Sequence, residues 1–269
     1  MKNRQVIVVT SGKGGVGKTT VTANLGAAFA NLGKKVCLID GDLGLKNLDV
    51  VLGLENRILY TVMDVVSGRV GAQEALVRHK TNRNLFLLPA SQIATKEMMT
   101  VEDMTNVVTR IKADFDYIII DSPAGIESGF RNAVAAADTA LLVTNPEYTA
   151  VSDADRVLGL LENTHLGLDN VFFILNKVKE GMNEKRGMLK TDEVMKTLSI
   201  PMIGMVPDSD EIFIGSNRGI PIAFEPSHDM NKIFTNITRR IMGHNIPIEQ
   251  DFKLAKTSIW KLLIKLFRS

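Results

Sequence analysis

An α/β fold with a mostly parallel sheet and helices on both faces is the architecture this 269-residue sequence predicts. Three observations carry it. Short apolar runs rich in β-branched residues alternate with helically periodic segments along almost the whole chain. A glycine-rich turn from Gly12 to Thr19 joins the first such run to the first periodic segment. A further run, from Asp116 to Asp121, ends in a carboxylate, and sheets of this kind bind ligands at the carboxyl ends of their strands.

Val6-Ile7-Val8-Val9 opens the series as a buried parallel strand. From Val21 to Leu32, Leu25, Ala28, Phe29 and Leu32 recur at helical spacing, and Gly33 supplies a stop. Lys35 to Ile39 forms the second strand. It holds the lone cysteine, Cys37, which has no internal partner for a disulfide and reads as a buried strand residue. Strands are expected near 6–10, 35–40, 85–88, 117–121, 140–144, 171–176 and 202–206. Helices are expected near 19–32, 61–67, 100–111, 129–137, 149–163, 188–198, 210–217 and 230–242. After His244 the pattern dissolves into polar residues around Pro247, as in a tether. The expected organisation is one domain over 1–243, a linker over 244–256 and an amphipathic helix over 257–269.

This length suits one α/β domain with a large core and is short for two. An apolar content of 45% and a charged content of 23% are ordinary for a soluble protein. No apolar run approaches a membrane span. The basic start is followed by only four apolar residues before Thr10, too few for a secretory leader, so a cytoplasmic location is expected. Net charge is +2, unevenly spread. Lys253, Lys256, Lys261, Lys265 and Arg268 share a terminal segment free of acidic residues, leaving 27 basic against 30 acidic residues elsewhere. An acidic body argues against coating DNA, and a basic tail argues for an anionic partner.

Gly12, Gly17, Lys18 and Thr19 fit the phosphate-loop spacing. Glycines let the backbone curl so that several N–H groups converge on one anion. A lysine then adds charge on the outer phosphates, and a hydroxyl can ligate magnesium. The loop precedes a helix N-terminus, itself an anion site. A nucleoside phosphate is the expected ligand, held by Gly12, Lys13, Gly14, Gly15, Val16, Gly17, Lys18, Thr19 and Thr20. Asp40-Gly41-Asp42 and Asp121 stand at strand ends where a ligand should lie. Asn176-Lys177-Val178-Lys179 resembles the guanine-reading Asn-Lys-x-Asp of GTPases, but Lys179 stands where guanine recognition needs a carboxylate, which favours adenine.

At about 100° per residue, Lys261, Lys265 and Arg268 fall in one narrow arc of the terminal segment. Ile259, Trp260, Leu262, Leu263, Ile264, Leu266 and Phe267 fill the remainder. This is the pattern of a helix lying in a membrane interface; the alternative is a terminal helix docked on the domain.

Lys13-Gly-Gly-Val-Gly-Lys-Thr-Thr20 resembles the deviant Walker motif of the ParA/MinD superfamily of phosphate-loop ATPases. That resemblance implies ATP and Mg2+ as cofactors. It implies that Lys13 crosses a homodimer interface to the partner's phosphates, acting as an arginine finger does. It also implies that Asp42 orients the attacking water, that Thr19, Asp40 and Asp121 lie at the metal, and that Gly125 belongs to a switch able to approach a γ-phosphate. Asn176, Pro207 and Asp208 would lie near the base. With Leu88-Pro-Ala-Ser-Gln92 and the basic tail, the resemblance is to the division-site branch of the superfamily. It implies an ATP-dependent dimer on an anionic phospholipid membrane that recruits the division inhibitor MinC, with MinE as a further regulator. Asp153, Asp155 and Arg156 would engage partners. Flagellar-number ATPases of the FlhG type and ParA-type DNA-positioning ATPases are the alternatives within the superfamily. A nucleotide-binding scaffold that does not hydrolyse is the alternative from another class.

Overall fold

The computed structural model describes residues 4–44, 47–91, 93–95, 98–179, 188–226 and 228–248. Its eight strands are β1 (Gln5–Thr10), β2 (Val36–Asp40), β3 (Val77–Arg78), β4 (Leu85–Leu88), β5 (Tyr117–Asp121), β6 (Thr139–Thr144), β7 (Val171–Val178) and β8 (Met202–Pro207). They form one sheet in the order β3-β4-β2-β5-β1-β6-β7-β8. Only β3 runs antiparallel to its neighbour.

The helices are α1 (Lys18–Asn31), α2 (Leu48–Val51), α3 (Val62–Val66), α4 (Ala72–Ala75), α5 (Val101–Ile111), α6 (Ser128–Ala135), α7 (Tyr148–Leu161), α8 (Thr191–Leu198), α9 (Asp210–Asn217) and α10 (Asp229–Ile241). Strand side chains alternate between two cores, as their period of two requires. Val6, Val8, Cys37, Ile39, Ile118 and Ile120 meet α5, α6 and α7 on one face. Ile7, Val9, Val36, Leu38 and Ile119 meet α1 and α10 on the other. Burial on both faces is why these strands read as unbroken apolar runs. Cys37 is buried as expected, and burial pushes its thiol well above the ordinary range.

The observed elements depart from expectation in a few places. The helix expected over 188–198 starts at Thr191, because Glu193 accepts from the Lys190 N–H at 2.6 Å while Met188 bridges to Glu147. The strand expected over 171–176 continues to Val178. β3, α2 and α4 have two, four and four residues, too few to display a period. At the far end α10 stops at Ile241, and Gly243 takes a left-handed φ of 87°. Arg240 then holds the following chain, donating to the carbonyls of Ile246 and Pro247 and to that of Ile203 in β8. Most of the expected linker and the whole expected helix over 257–269 lie outside the described residues. Among the described residues, no helix is long and apolar enough to cross a membrane.

His79, just after β3, is buried and stacks on Phe224 with ring centroids 4.8 Å apart. Its Nδ1 accepts from the Thr81 and Asn82 N–H groups, and burial, aided by the charge of Lys80, lowers its pKa to about 4. Protonation therefore favours the unfolded chain, where the pKa is about 6.5. His79's contribution is complete above that value and is lost as pH falls through 4, by about 3 kcal/mol in all. We expect His79→Asn, which retains an acceptor near Nδ1, to shrink the fall in urea midpoint between pH 7 and pH 4.5. Parallel profiles for the two proteins would contradict this.

Candidate functional site

Parallel registration brings the carboxyl ends of the central strands to one edge. Val9 pairs with Asp121, and Asp121 pairs across with Asp40. The chain leaves β1 at Thr10 and turns through a glycine loop into α1, so loop, helix N-terminus and two strand-end carboxylates share that edge. Two glycines are dictated by contact. A Cβ on Gly12 would lie 2.3 Å from the Asp153 carbonyl oxygen of α7. Gly17 has φ 94°, and a Cβ there would lie 2.3 Å from Asn176 Nδ2. The loop borders a cavity of about 790 Å³, also lined by Asp42, Asn176, Lys177, Pro207 and Asp208.

Asp121 is the hub of this edge. Its carboxylate accepts from Lys18 Nζ at 2.9 Å, Thr19 Oγ1 at 2.7 Å and Thr22 Oγ1 at 3.2 Å. Lys18 and Asp121 are both buried, and a buried charge needs such partners. Asp40, also buried, accepts from the N–H groups of Asp42 and Leu48 at 3.1 and 3.3 Å. Burial first, and the negative charge of Asp121 second, raise its pKa to about 7. Two carboxylates on neighbouring strands beside a hydroxyl make a hard, all-oxygen donor set that a divalent cation would relieve. Among the described residues no group of three or more His, Cys, Asp or Glu could hold a metal. A cation here would therefore complete its shell with phosphate oxygens and water, the habit of Mg2+. The residues fit that ion.

Asp42 is half-buried and lines the cavity beyond Asp40. Gly125, with φ 92°, donates its N–H to the Ser11 carbonyl at 3.0 Å, which places it beside the loop. Lys13 lies on the loop's outer side: its Nζ donates to Glu147 Oε2 at 2.9 Å and to Thr149 Oγ1 at 3.1 Å. The lysine's hydrogen bond holds the Glu147 carboxyl below the usual range, and Asn145 grips the other oxygen of Glu147. Within one protomer, then, Lys13 faces the start of α7.

Asn176 lines the cavity, but its Nδ2 donates to the Val16 carbonyl at 2.7 Å, behind the loop. Lys177 donates to the Gly15 carbonyl at 2.7 Å. Lys179, at the position a guanine reader gives to aspartate, forms an ion pair of 3.1 Å with Asp208. Asp153, Asp155 and Arg156 occupy the outer side of α7, whose Val151, Ala154, Val157 and Leu158 are buried; Arg156 pairs with Asp153 at 3.3 Å. Glu147 and Lys177 were missed as functional residues by sequence reasoning. Lys177 had a signal, as the second residue of Asn-Lys-Val-Lys, whereas Glu147 had none. Ile259, Trp260, Lys261, Leu262, Leu263, Lys265, Leu266 and Phe267 lie outside the described residues.

Comparison with known proteins follows the same lines. A family model described as an AAA domain matches residues 4–172. The septum site-determining protein MinD of Thermotoga maritima is 60% identical over 247 residues, covering 92% of this chain and 91% of that protein. The MinC:MinD cell division protein complex of Aquifex aeolicus contains a chain that superposes with a TM-score of 0.83 at 46% identity, over 90% of this chain and 98% of that one. MinD of Pyrococcus horikoshii, solved with Mg-ADP, superposes with a TM-score of 0.78 at 30% identity, over 88% and 95% of the two chains.

Proposed function

The chain belongs to the MinD family of septum site-determining ATPases, and from that premise we propose that it pairs on binding ATP, carries a MinC-type division inhibitor to the membrane, and lets go on hydrolysis. The observation that carries this reading is Asp121, which gathers Lys18 and Thr19 at the end of β5 beside Asp40. The relative solved with Mg-ADP and the relative solved with MinC support the two halves of the proposal.

In this reading the loop amides and Lys18 hold the outer phosphates of ATP. Thr19 and Asp121 would hold Mg2+, with Asp40 on the strand beside Asp121. The ion neutralises charge on the phosphate oxygens when bound. Asp42 orients the attacking water toward the γ-phosphate, acting by positioning. Pro207 and Asp208 border the base, with Asn176 below them. Lys13 must leave Glu147 to reach the partner's phosphates. Those two side chains are 40% and 44% exposed, and an exposed pair is worth about 0–1 kcal/mol, so the exchange is cheap. Asp153, Asp155 and Arg156 present a charged face to the inhibitor. Residues 257–269 lie in the anionic leaflet, on the inner face of the cell membrane.

Replacing the water-orienting group separates hydrolysis from assembly. Asp42→Ala is expected to keep ATP-dependent pairing while phosphate release falls by about a hundredfold. On vesicles it should hold the inhibitor where the wild type sheds it. Unchanged phosphate release would remove Asp42 from the mechanism.

A further inference from the structure

The end of β7 does something to the loop that no spacing rule requires. Two consecutive loop carbonyls, those of Gly15 and Val16, are held from outside by two consecutive side chains, Lys177 and Asn176, each at 2.7 Å. The β7–β8 register breaks between Leu175 and Val178, which frees this pair of residues from regular pairing. Lys177 also has φ 55°, a left-handed backbone that few residues other than glycine adopt. Such strain persists where surrounding structure enforces it and clusters at functional sites.

A trans peptide unit is planar, with its C=O and N–H pointing in opposite directions. The described residues contain no cis bond. Holding the Gly15 carbonyl from the β7 side therefore turns the Val16 N–H away from β7, into the loop. Holding the Val16 carbonyl does the same for the Gly17 N–H. Donors fixed before the anion arrives need no reorganisation when it binds. We propose that Lys177 is a positioning residue that, with Asn176, aims the Val16 and Gly17 amides at the phosphates of the bound nucleotide. The inference rests on reading the loop as the phosphate site. A lysine is used at a glycine-like backbone position because its stem reaches the Gly15 carbonyl.

The test uses the full chain with adenine nucleotides, competing AMP and ADP against a fluorescent ADP analogue. Lys177→Gly accepts the backbone angle and removes only the grip. Lys177→Asn, a residue type that also tolerates this angle, is the second variant should the first fail to fold. Loss of one charge-assisted hydrogen bond should weaken ADP by about tenfold, with AMP changed far less, because AMP lacks the outer phosphate the loop cradles. Lys177→Arg should restore most of the ADP affinity. Equal weakening of AMP and ADP would mean that Lys177 serves the base, and unchanged ADP affinity would mean that the contact is incidental; either overturns the proposal. Lys18→Ala is the control. If it binds ADP as the wild type does, the phosphate site itself has been misread, whatever Lys177 does.

Discussion

Lys13→Ala is expected to leave ADP binding by the single protomer within about threefold of wild type, since it removes only an exposed ion pair. Turnover, by contrast, should fall on the order of a thousandfold, and ATP should no longer drive pairing. The asymmetry follows from where Lys13 lies. Lys18 is buried against Asp121, whereas Lys13 is turned outward onto Glu147 and Thr149 at the start of α7. A cation so placed adds little to its own protomer's phosphate cradle. On the proposed reading, its value would arise when a second chain brought developing negative charge within reach. Size-exclusion chromatography with ATP and phosphate release measure the two effects. A Lys13→Ala protein that pairs and turns over normally would reduce Lys13 to a loop residue tied to Glu147.

The second large effect concerns the terminal segment. Deleting residues 253–269 should leave an ATPase that pairs normally but no longer pellets with anionic vesicles, a loss of about a hundredfold or more in apparent affinity. The segment carries five basic residues and no acidic one. Each contributes about 1 kcal/mol at best near an anionic surface. Forming the expected helix would offset much of that. On the proposed reading, one copy would hold weakly, and two copies on a dimer would hold well because the second would bind at high effective concentration. Persistent pelleting after the deletion would move the membrane contact to the folded domain.

Much of this molecule was legible in its sequence, for a physical reason that also explains what was not. β1, β2, β4 and β5 are apolar without interruption because helices bury both faces, so their composition alone marks them. β3 is a two-residue antiparallel edge and leaves no pattern. The phosphate loop was legible because its spacing is contiguous and its curl needs left-handed glycines at Gly15 and Gly17; the contacts that also forbid a side chain at Gly12 and Gly17, with α7 and Asn176, are distant in sequence and were not legible. Nor was Glu147, because its partner Lys13 lies 134 residues away and nothing local to either one announces the pair. Asn176 shows a third case. It was expected near the base, but a motif names a residue without naming the atom it touches, and here that atom is the Val16 carbonyl oxygen. Lys179 was read as favouring adenine over guanine, and its ion pair with Asp208 gives the lysine a partner at that position.

The central claim is that the γ-phosphate governs attachment by governing pairing. Sedimentation of the intact chain with anionic vesicles, in ATP and separately in ADP, tests it most directly. The account predicts that protein pellets with ATP and stays largely in the supernatant with ADP. Equal pelleting in both nucleotides would contradict it.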